Sequence, residues 1–443
     1  MAVQYHPTGD TAAAISASVE TGVRTGRLGP GDSLPPVRAL AVDLGVSPAT
    51  VASAYRALRE RGLVETAGRG GTRVRSRPPV VMRSSWQLLP PPGALDLASG
   101  APDSALLPRI NGLLPRIDMQ AIEGVTVNYQ HGGPNEELLE LARQRLENDN
   151  VPADHVTLTS GALDAIERML AAHLRPGDKV AVEDPGWANL LDLVAALGLT
   201  PVPVPVDKAG PIPAGLQSAL AKGAAALIVT SRAQNPTGAV VTEERAAAIK
   251  AVLRGYPKVL VMEDDHAAEL SHHRAHPLSG VTNSWGYVRS VSKPYGPDLR
   301  LGVLAGDETS VARVAGRMRL GAGWVSTILQ RLVLALWRDP QVAAGIRRAG
   351  EIYTERRTAL RDALDDLESY GESGINVWIP VADETRAVAA LREEGIAVAP
   401  GALYRIATPP AIRVTTATLP VGEARRVAEA IKRVTTVSPT RWY

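Results

Sequence analysis

The run Ser290-Val291-Ser292-Lys293, followed seven residues later by Arg300, puts an amine, two hydroxyls and a guanidinium in one short stretch. A lysine that condenses with a carbonyl needs a lowered pKa and a fixed approach. A phosphate carrying nearly two charges needs hydroxyls and a cation close by. One strand-loop-strand unit meets both needs here. By itself a Ser-x-Ser-Lys run reads as an ordinary exposed lysine, so the reading rests on what lies upstream. Asn235-Pro236-Thr237-Gly238 supplies an amide, and Glu263-Asp264-Asp265 closes an apolar run. A buried aspartate facing a pyridine nitrogen keeps that nitrogen protonated and makes the ring an electron sink. Strand register decides between Asp264 and Asp265, and the sequence leaves both open. Thr159-Ser160-Gly161-Ala162 lies where a strand passes into a helix, whose first N–H groups favour phosphate. Glu183-Asp184-Pro185-Gly186-Trp187 offers an aromatic to stack on a flat ring.

The elements that must position these groups alternate. Strands are predicted at 156–159, 180–183, 226–230 and 259–263, with Ala/Leu/Arg-rich segments of helical spacing between them, such as Glu136 to Leu146. Such alternation implies a mainly parallel sheet covered on both faces, with its ligand at the carboxyl ends of the strands. A smaller α/β unit follows, with strands predicted at 375–379 and 412–415. Upstream, Arg75-Ser76-Arg77-Pro78-Pro79 and Pro90-Pro91-Pro92-Gly93 read as a stiff, solvated linker. The expected division is a head over residues 1–76, a Pro-rich linker over 77–95 and a body over 96–443, its smaller part from about 340.

The head carries a different pattern. Leu40 to Val51 reads as helix, Gly45 turn and second helix, with Ser47 as N-cap and Pro48 at the first helical position. Val51, Ala54, Tyr55 and Leu58 fall at core spacing, which leaves Ser47, Ala49, Thr50, Ser53 and Arg56 outward. A helix presenting small polar groups and Arg can enter a major groove. Gly62 to Val74 reads as a two-stranded wing with Arg69 at its tip. Residues 1–78 hold ten Arg, no Lys and six acidic residues, so the head is +4 within a chain of net charge +2. A basic head on a slightly acidic body fits a nucleic-acid module joined to something else.

Bulk properties exclude much else. At 443 residues, 45% apolar and 21% charged, the chain reads as a globular protein of two or three domains. With no Cys, disulfides, thiolate metal sites and thiol nucleophiles are out. The first residues lack a signal-peptide pattern and no apolar run is long enough for a bilayer, so a cytoplasmic protein without a membrane partner is expected. His272, His273 and His276 have no carboxylate or thiol arranged with them and Arg274 among them, so they read as a solvated loop and no metal is expected.

The head, from Gly26-Arg27-Leu28-Gly29-Pro30-Gly31-Asp32-Ser33-Leu34-Pro35-Pro36-Val37-Arg38 to the wing, resembles the GntR-type winged helix-turn-helix domain over about 65 residues. That resemblance implies an α+β head whose contacts with promoter DNA come from Arg38, Ser47, Thr50, Arg69 and Thr72. The body's ordered motifs resemble fold-type I, aminotransferase-like pyridoxal-phosphate (PLP) enzymes over 96–443, an α/β large domain with a smaller C-terminal α/β domain. Together the two resemble the MocR subfamily of regulators. The resemblance implies that Lys293 forms the Schiff base with PLP, Asp264 pairs with the ring nitrogen, Asn235 contacts the phenolate oxygen and Trp187 stacks on the ring. Gly161, Ala162, Ser290 and Arg300 would hold the phosphate. Tyr129 would reach the phosphate of a second subunit, and Arg413 would pair with an effector or substrate carboxylate. His266 stands where the family commonly has a Tyr that bonds the phenolate oxygen, and Trp187 also replaces a usual Tyr. The implied function is a homodimeric, head-to-tail transcription regulator that senses an amino acid or amine through bound PLP. The alternative is a working aminotransferase with a secondary or inert head.

Overall fold

The computed structural model describes residues 5–24, 27–29, 31–60, 63–66, 71–74, 83, 90–117 and 132–436. The chain divides into two compact units, Met1–Met82 and Arg83–Tyr443.

The smaller unit contains helices α1 (Ala12–Arg24), α2 (Val37–Leu44) and α3 (Pro48–Glu60), then strands β1 (Val64–Thr66) and β2 (Thr72–Val74). The strands pair antiparallel, Val64 opposite Val74 and Thr66 opposite Thr72. Ser47 Oγ accepts the Thr50 N–H at 3.1 Å, which satisfies one of the free donors at the start of α3. Val51, Ala54, Tyr55 and Leu58 of α3 are buried with Ile15, Val19 and Leu40 in one apolar cluster. The Tyr55 hydroxyl donates to the Pro35 carbonyl at 2.8 Å, so a polar tip in that small core keeps a partner.

The larger unit is built on an eight-stranded sheet. Its strands are β4 (Val156–Thr159), β5 (Lys179–Asp184), β6 (Thr200–Asp207), β7 (Gly210–Pro211), β8 (Ala224–Thr230), β9 (Leu260–Asp265), β10 (Ser284–Ser290) and β11 (Gly302–Gly306), in the order β4-β11-β10-β9-β8-β5-β6-β7. β6, β5, β8, β9 and β10 pair in parallel, while β11 runs against both β10 and β4. The strands therefore send Thr159, Asp184, Thr230, Asp265 and Ser290 to one edge. Alternate residues enter two separate cores: Ala181, Leu227, Val261 and Tyr287 on one face, Val180, Ile228, Met262 and Val288 on the other. Both faces are thus covered, as apolar strands of a parallel sheet require. β6 is a strand despite Pro201, Pro203 and Pro205, because the residues alternating with them keep their N–H groups and that one row of donors suffices to bond β5.

The second sheet has the order β12-β14-β13-β3, from β12 (Asn376–Pro380), β13 (Ile396–Pro400), β14 (Ala411–Thr415) and β3 (Leu95–Leu97). Thus three residues from the start of the body join the C-terminal sheet, with Leu97 buried among Leu360, Val377 and Ile412. The stretch expected to be a solvated linker is fastened where it is described. Arg83 is buried, its main-chain N–H and Nε both donating to Asp192 at 2.6 and 2.9 Å. Farther on, the Leu95 N–H donates to Gly395 at 2.8 Å. Among the described residues no helix is long and apolar enough to cross a membrane.

One buried charge cluster ties the sheet together. Asp265 accepts from Arg232 at 2.5 and 3.0 Å, from Arg289 at 3.1 Å and from the Tyr287 hydroxyl at 2.6 Å. Asp149 accepts from the same two arginines. The two guanidiniums hold the Asp265 carboxyl far below the usual carboxylate range, although burial alone, the largest influence, acts the other way. Asp265→Ala leaves two buried guanidiniums short of a counter-charge and is expected to cost about 3–5 kcal/mol in urea unfolding. Asp264→Ala, which removes no contact with an arginine, is expected to cost less. Equal losses would contradict this division of roles between the neighbours.

Candidate functional site

The pleat of β9 separates the two aspartates. Asp264 shares the face of Leu260 and Met262, while Asp265 shares that of Val261 and turns into the arginine cluster. Sheet register sets Asp264 beside Thr230 and Val288. One of its oxygens, Oδ2, lies 3.0 Å from Nδ1 of His266. The other, Oδ1, is buried with no hydrogen-bond partner among the described residues. With Asp265 fully engaged by Arg232, Arg289 and Tyr287, Asp264 is the carboxylate left with an acceptor to offer.

The phosphate-binding motifs also converge by register. Thr159 pairs with Gly302, and Gly302 with Ser290, so the ends of β4 and β10 lie level across β11. Gly161 precedes helix Ala162–His173 with φ 102°, a conformation open to glycine. No side chain caps this helix start. A Cβ on Gly161 would stand 3.1 Å from an Arg300 guanidinium nitrogen. Arg300 itself has φ 41° and donates to the Ser160 carbonyl at 2.9 Å, which brings its charge back to the helix start. Ser290 is buried, and its Oγ accepts the Ser292 N–H at 3.2 Å.

Lys293 follows on the short helix Ser292–Tyr295, its ammonium enclosed and donating to the Gly100 carbonyl. Burial, the largest influence, and the charge of Arg413 together lower its pKa to about 8, with Asp264 acting the other way. Arg413, on β14, is 3% exposed. It donates to Asn235 Oδ1 at 3.2 Å and to the Ala98 carbonyl at 2.5 Å, and its guanidinium carbon sits 4.7 Å over the Tyr404 ring. Its Nε is buried without a partner among the described residues. Because Arg only donates, Asn235 must turn its oxygen to Arg413, which leaves its NH2 free to donate elsewhere. Gly100, at φ 67°, fits here because a Cβ would come within 2.9 Å of the Arg413 guanidinium.

Trp187 is half-buried at the start of helix Ala188–Ala196 and packs against the apolar cluster of Ile166 and Leu190. The preceding Gly186 N–H donates to the Tyr404 carbonyl at 2.7 Å, and Asp184 accepts the N–H groups of Ile406, Ala407 and Thr408 at 2.7 to 3.0 Å. The loop after β13 is thereby fastened to the end of β5. Tyr129 lies outside the described residues. Sequence reasoning missed the carbonyls of Ala98 and Gly100, the Tyr404 ring beneath Arg413 and the Asp184 clasp. Main-chain acceptors carry no residue signature, and nothing in the spacing ties Tyr404 to Arg413.

In the smaller unit Arg38 and Ser47 are exposed and Thr50 and Thr72 half-buried, with Ser47 Oγ and Thr50 Oγ1 2.8 Å apart. Arg69 lies outside the described residues.

An acceptor left bare for a ring nitrogen, a lysine with lowered pKa, and an uncapped helix start beside an arginine fit PLP, and the fold and site define a PLP-binding protein of the aminotransferase type. Residues 92–431 match the aminotransferase class I and II family, and residues 11–74 match the gntR family of bacterial regulatory proteins. The chain is 37% identical over 433 residues to the vitamin B6 salvage pathway transcriptional repressor PtsJ of Salmonella typhimurium, covering 96% of this chain and 98% of that protein. It is 27% identical over 356 residues to the pyridoxine biosynthesis transcriptional regulator PdxR of Corynebacterium glutamicum, covering 78% and 77%. Among solved structures, the kynurenine aminotransferase of Pyrococcus horikoshii aligns with TM-score 0.69 at 21% identity over 77% of this chain and 91% of its own. The chain belongs to the MocR-type regulators, in which a GntR head is fused to an aminotransferase class I and II body. It is a DNA-binding transcription regulator, and its cofactor is PLP.

The Lys293 pKa sets a pH dependence. Only a neutral amine attacks an aldehyde, and on Lys293 that form is half-populated at about pH 8 instead of near the ordinary 10.5. The rate at which apoprotein takes up PLP covalently, followed by the cofactor's visible absorption, is expected to rise about tenfold per pH unit below about 8 and then level off. Arg413→Gln removes a neighbouring positive charge, so the midpoint should move up. A midpoint near 10.5 in the parent chain would show that burial does not act on this amine.

Proposed function

We propose that this chain is a promoter-bound regulator of vitamin B6 supply in the cytoplasm, and that occupation of its own site by PLP is the signal it reads. The observation that carries this reading is full-length similarity to a vitamin B6 salvage pathway repressor, joined to a site whose vacant acceptor and donors suit PLP. Bound there, PLP supplies an aldehyde for a primary amine and a ring that withdraws electrons. Lys293 Nζ serves as that amine. Asp264 Oδ1 accepts from the ring nitrogen, Asn235 donates its amide to the phenolate oxygen, and Trp187 stacks on the ring. The N–H groups that open helix Ala162–His173 bind phosphate, with Gly161 and Ala162 at its edge and Ser290 and Arg300 beside it.

A second reading rests on Arg413: the signal is an amino acid whose carboxylate pairs with this guanidinium. Such a carboxylate would share this guanidinium with the Ala98 carbonyl, and an amine acting at Lys293 would compete with the Gly100 carbonyl. Segment 98–100 directly follows β3, so either ligand bears on the part of the body nearest in sequence to the head. A ligand shifts the arrangement only as far as it binds one state better than the other.

The head's DNA contacts are Arg38, Ser47, Thr50, Arg69 and Thr72, and the active species is a head-to-tail homodimer to which Tyr129 contributes a contact with the other subunit's phosphate. Of the exposed large apolar side chains among the described residues, Leu320 at 91% is the most exposed, and this reading places it against the second copy. Footprinting upstream of the chain's own gene and its divergent neighbour is expected to show a repeated site whose protection changes with PLP. Arg38→Ala should weaken binding and reduce its salt dependence. No protection beyond that of any weakly basic protein sinks the regulatory site assignment. Leu320→Asp should shift the protein toward monomer in analytical ultracentrifugation and weaken promoter binding in parallel; an unchanged dimer would remove this surface from the interface.

A further inference from the structure

His266 stands two residues after Asp264, just past the end of β9, and strand periodicity returns it toward the same face. Its Nδ1 contact with Asp264 Oδ2, at 3.0 Å, is the ring's one hydrogen bond among the described residues. Asp264 Oδ1 has none. A carboxylate oxygen accepts, so Nδ1 carries the hydrogen in this contact. With its Nδ1–H given to Asp264, His266 does not offer that hydrogen to the phenolate oxygen, the group a Tyr at this position would bond. Asn235 offers its own, since Arg413 turns its amide oxygen away. Lys293 and Glu183 bear on Asp264 through charge alone and neither hydrogen-bonds to it. Orientation of the carboxylate is left to His266.

We propose that His266 is a positioning residue: by donating Nδ1–H to Oδ2 it holds the Asp264 carboxylate so that Oδ1 meets the pyridine nitrogen of PLP. It acts on the cofactor through Asp264 and not through the phenolate oxygen. This rests on PLP occupying the site as described above. It also means that the phenolate oxygen has one side-chain donor, Asn235, where a Tyr at position 266 would add a second.

The test uses the full-length chain with PLP and two analogues, one with C–H in place of the ring nitrogen and one lacking the phenol oxygen. His266→Phe keeps a flat ring but removes the donor. It is expected to weaken PLP about tenfold in equilibrium titration, the value of one hydrogen bond to a charged group, and to shift the visible absorption band. His266→Asn, whose amide can still donate to Oδ2, should recover most of both. The loss should persist with the analogue lacking the phenol oxygen and vanish with the analogue lacking the ring nitrogen. In an Asp264→Ala background, His266→Phe should add nothing. The proposal is overturned if His266→Phe binds PLP like the parent, if its loss vanishes without the phenol oxygen, or if its effect adds in full to that of Asp264→Ala. A parent chain that binds neither PLP nor the analogues overturns the cofactor site itself, a result separate from any of these.

Discussion

Asp265, held by two buried guanidiniums and a tyrosine hydroxyl, is the fixed point of the larger unit. Arg232 comes from just past the end of β8, Arg289 and Tyr287 from β10, and Asp149 from just past helix Glu136–Glu147. One carboxylate thereby fastens the ends of three adjacent strands and a covering helix. A buried ion cluster is weak evidence of net stability, since removing charges from water costs about what their attraction returns. Its stronger effect is geometric. With strand ends held level, the next residue back, Asp264, emerges on the opposite face.

That division lets two adjacent residues of the same type do unlike things. Asp265 has every need met from the protein, while Asp264 keeps one oxygen bare, at a cost of about 1–3 kcal/mol for a buried acceptor. The same logic recurs around Lys293. Its ammonium is enclosed and near Arg413, so the charged form is disfavoured twice. Arg413 is itself buried, lowered by burial and supported by the Tyr404 ring and by carbonyl and amide oxygens.

The smaller unit is built on other terms. Its core is a short list of aliphatic side chains and Tyr55, and its outward groups are small hydroxyls and arginines. Such a unit reads DNA through a helix and a wing and needs no cavity. Here such a unit is joined to a body whose fold is used widely for chemistry, so fold alone does not define what the chain does.

Much of this was legible in the sequence where the signal is local. The Ser47 cap, the core positions of α3, the strand-to-helix turn at Gly161 and the spacing of Ser290, Lys293 and Arg300 are all short-range patterns, fixed by helix and strand periodicity and by the needs of amine and phosphate. Four of the sheet's strands, β4, β5, β8 and β9, were readable for the same reason, while β6, with its alternating prolines, and β10 and β11 on either side of the Lys293 loop were not placed. The choice between Asp264 and Asp265 was not readable, because it depends on which face of β9 meets arginines from β10 and from the loop beyond β8. Nor were the pairing of β3 with β13, the Asn235–Arg413 contact or the turn of His266 toward Asp264. Composition and periodicity determine which segments form elements and which groups are available. Only the tertiary structure decides which buried charges are satisfied and which are left open, since that depends on contacts between residues more than three hundred positions apart, such as Ala98 and Arg413.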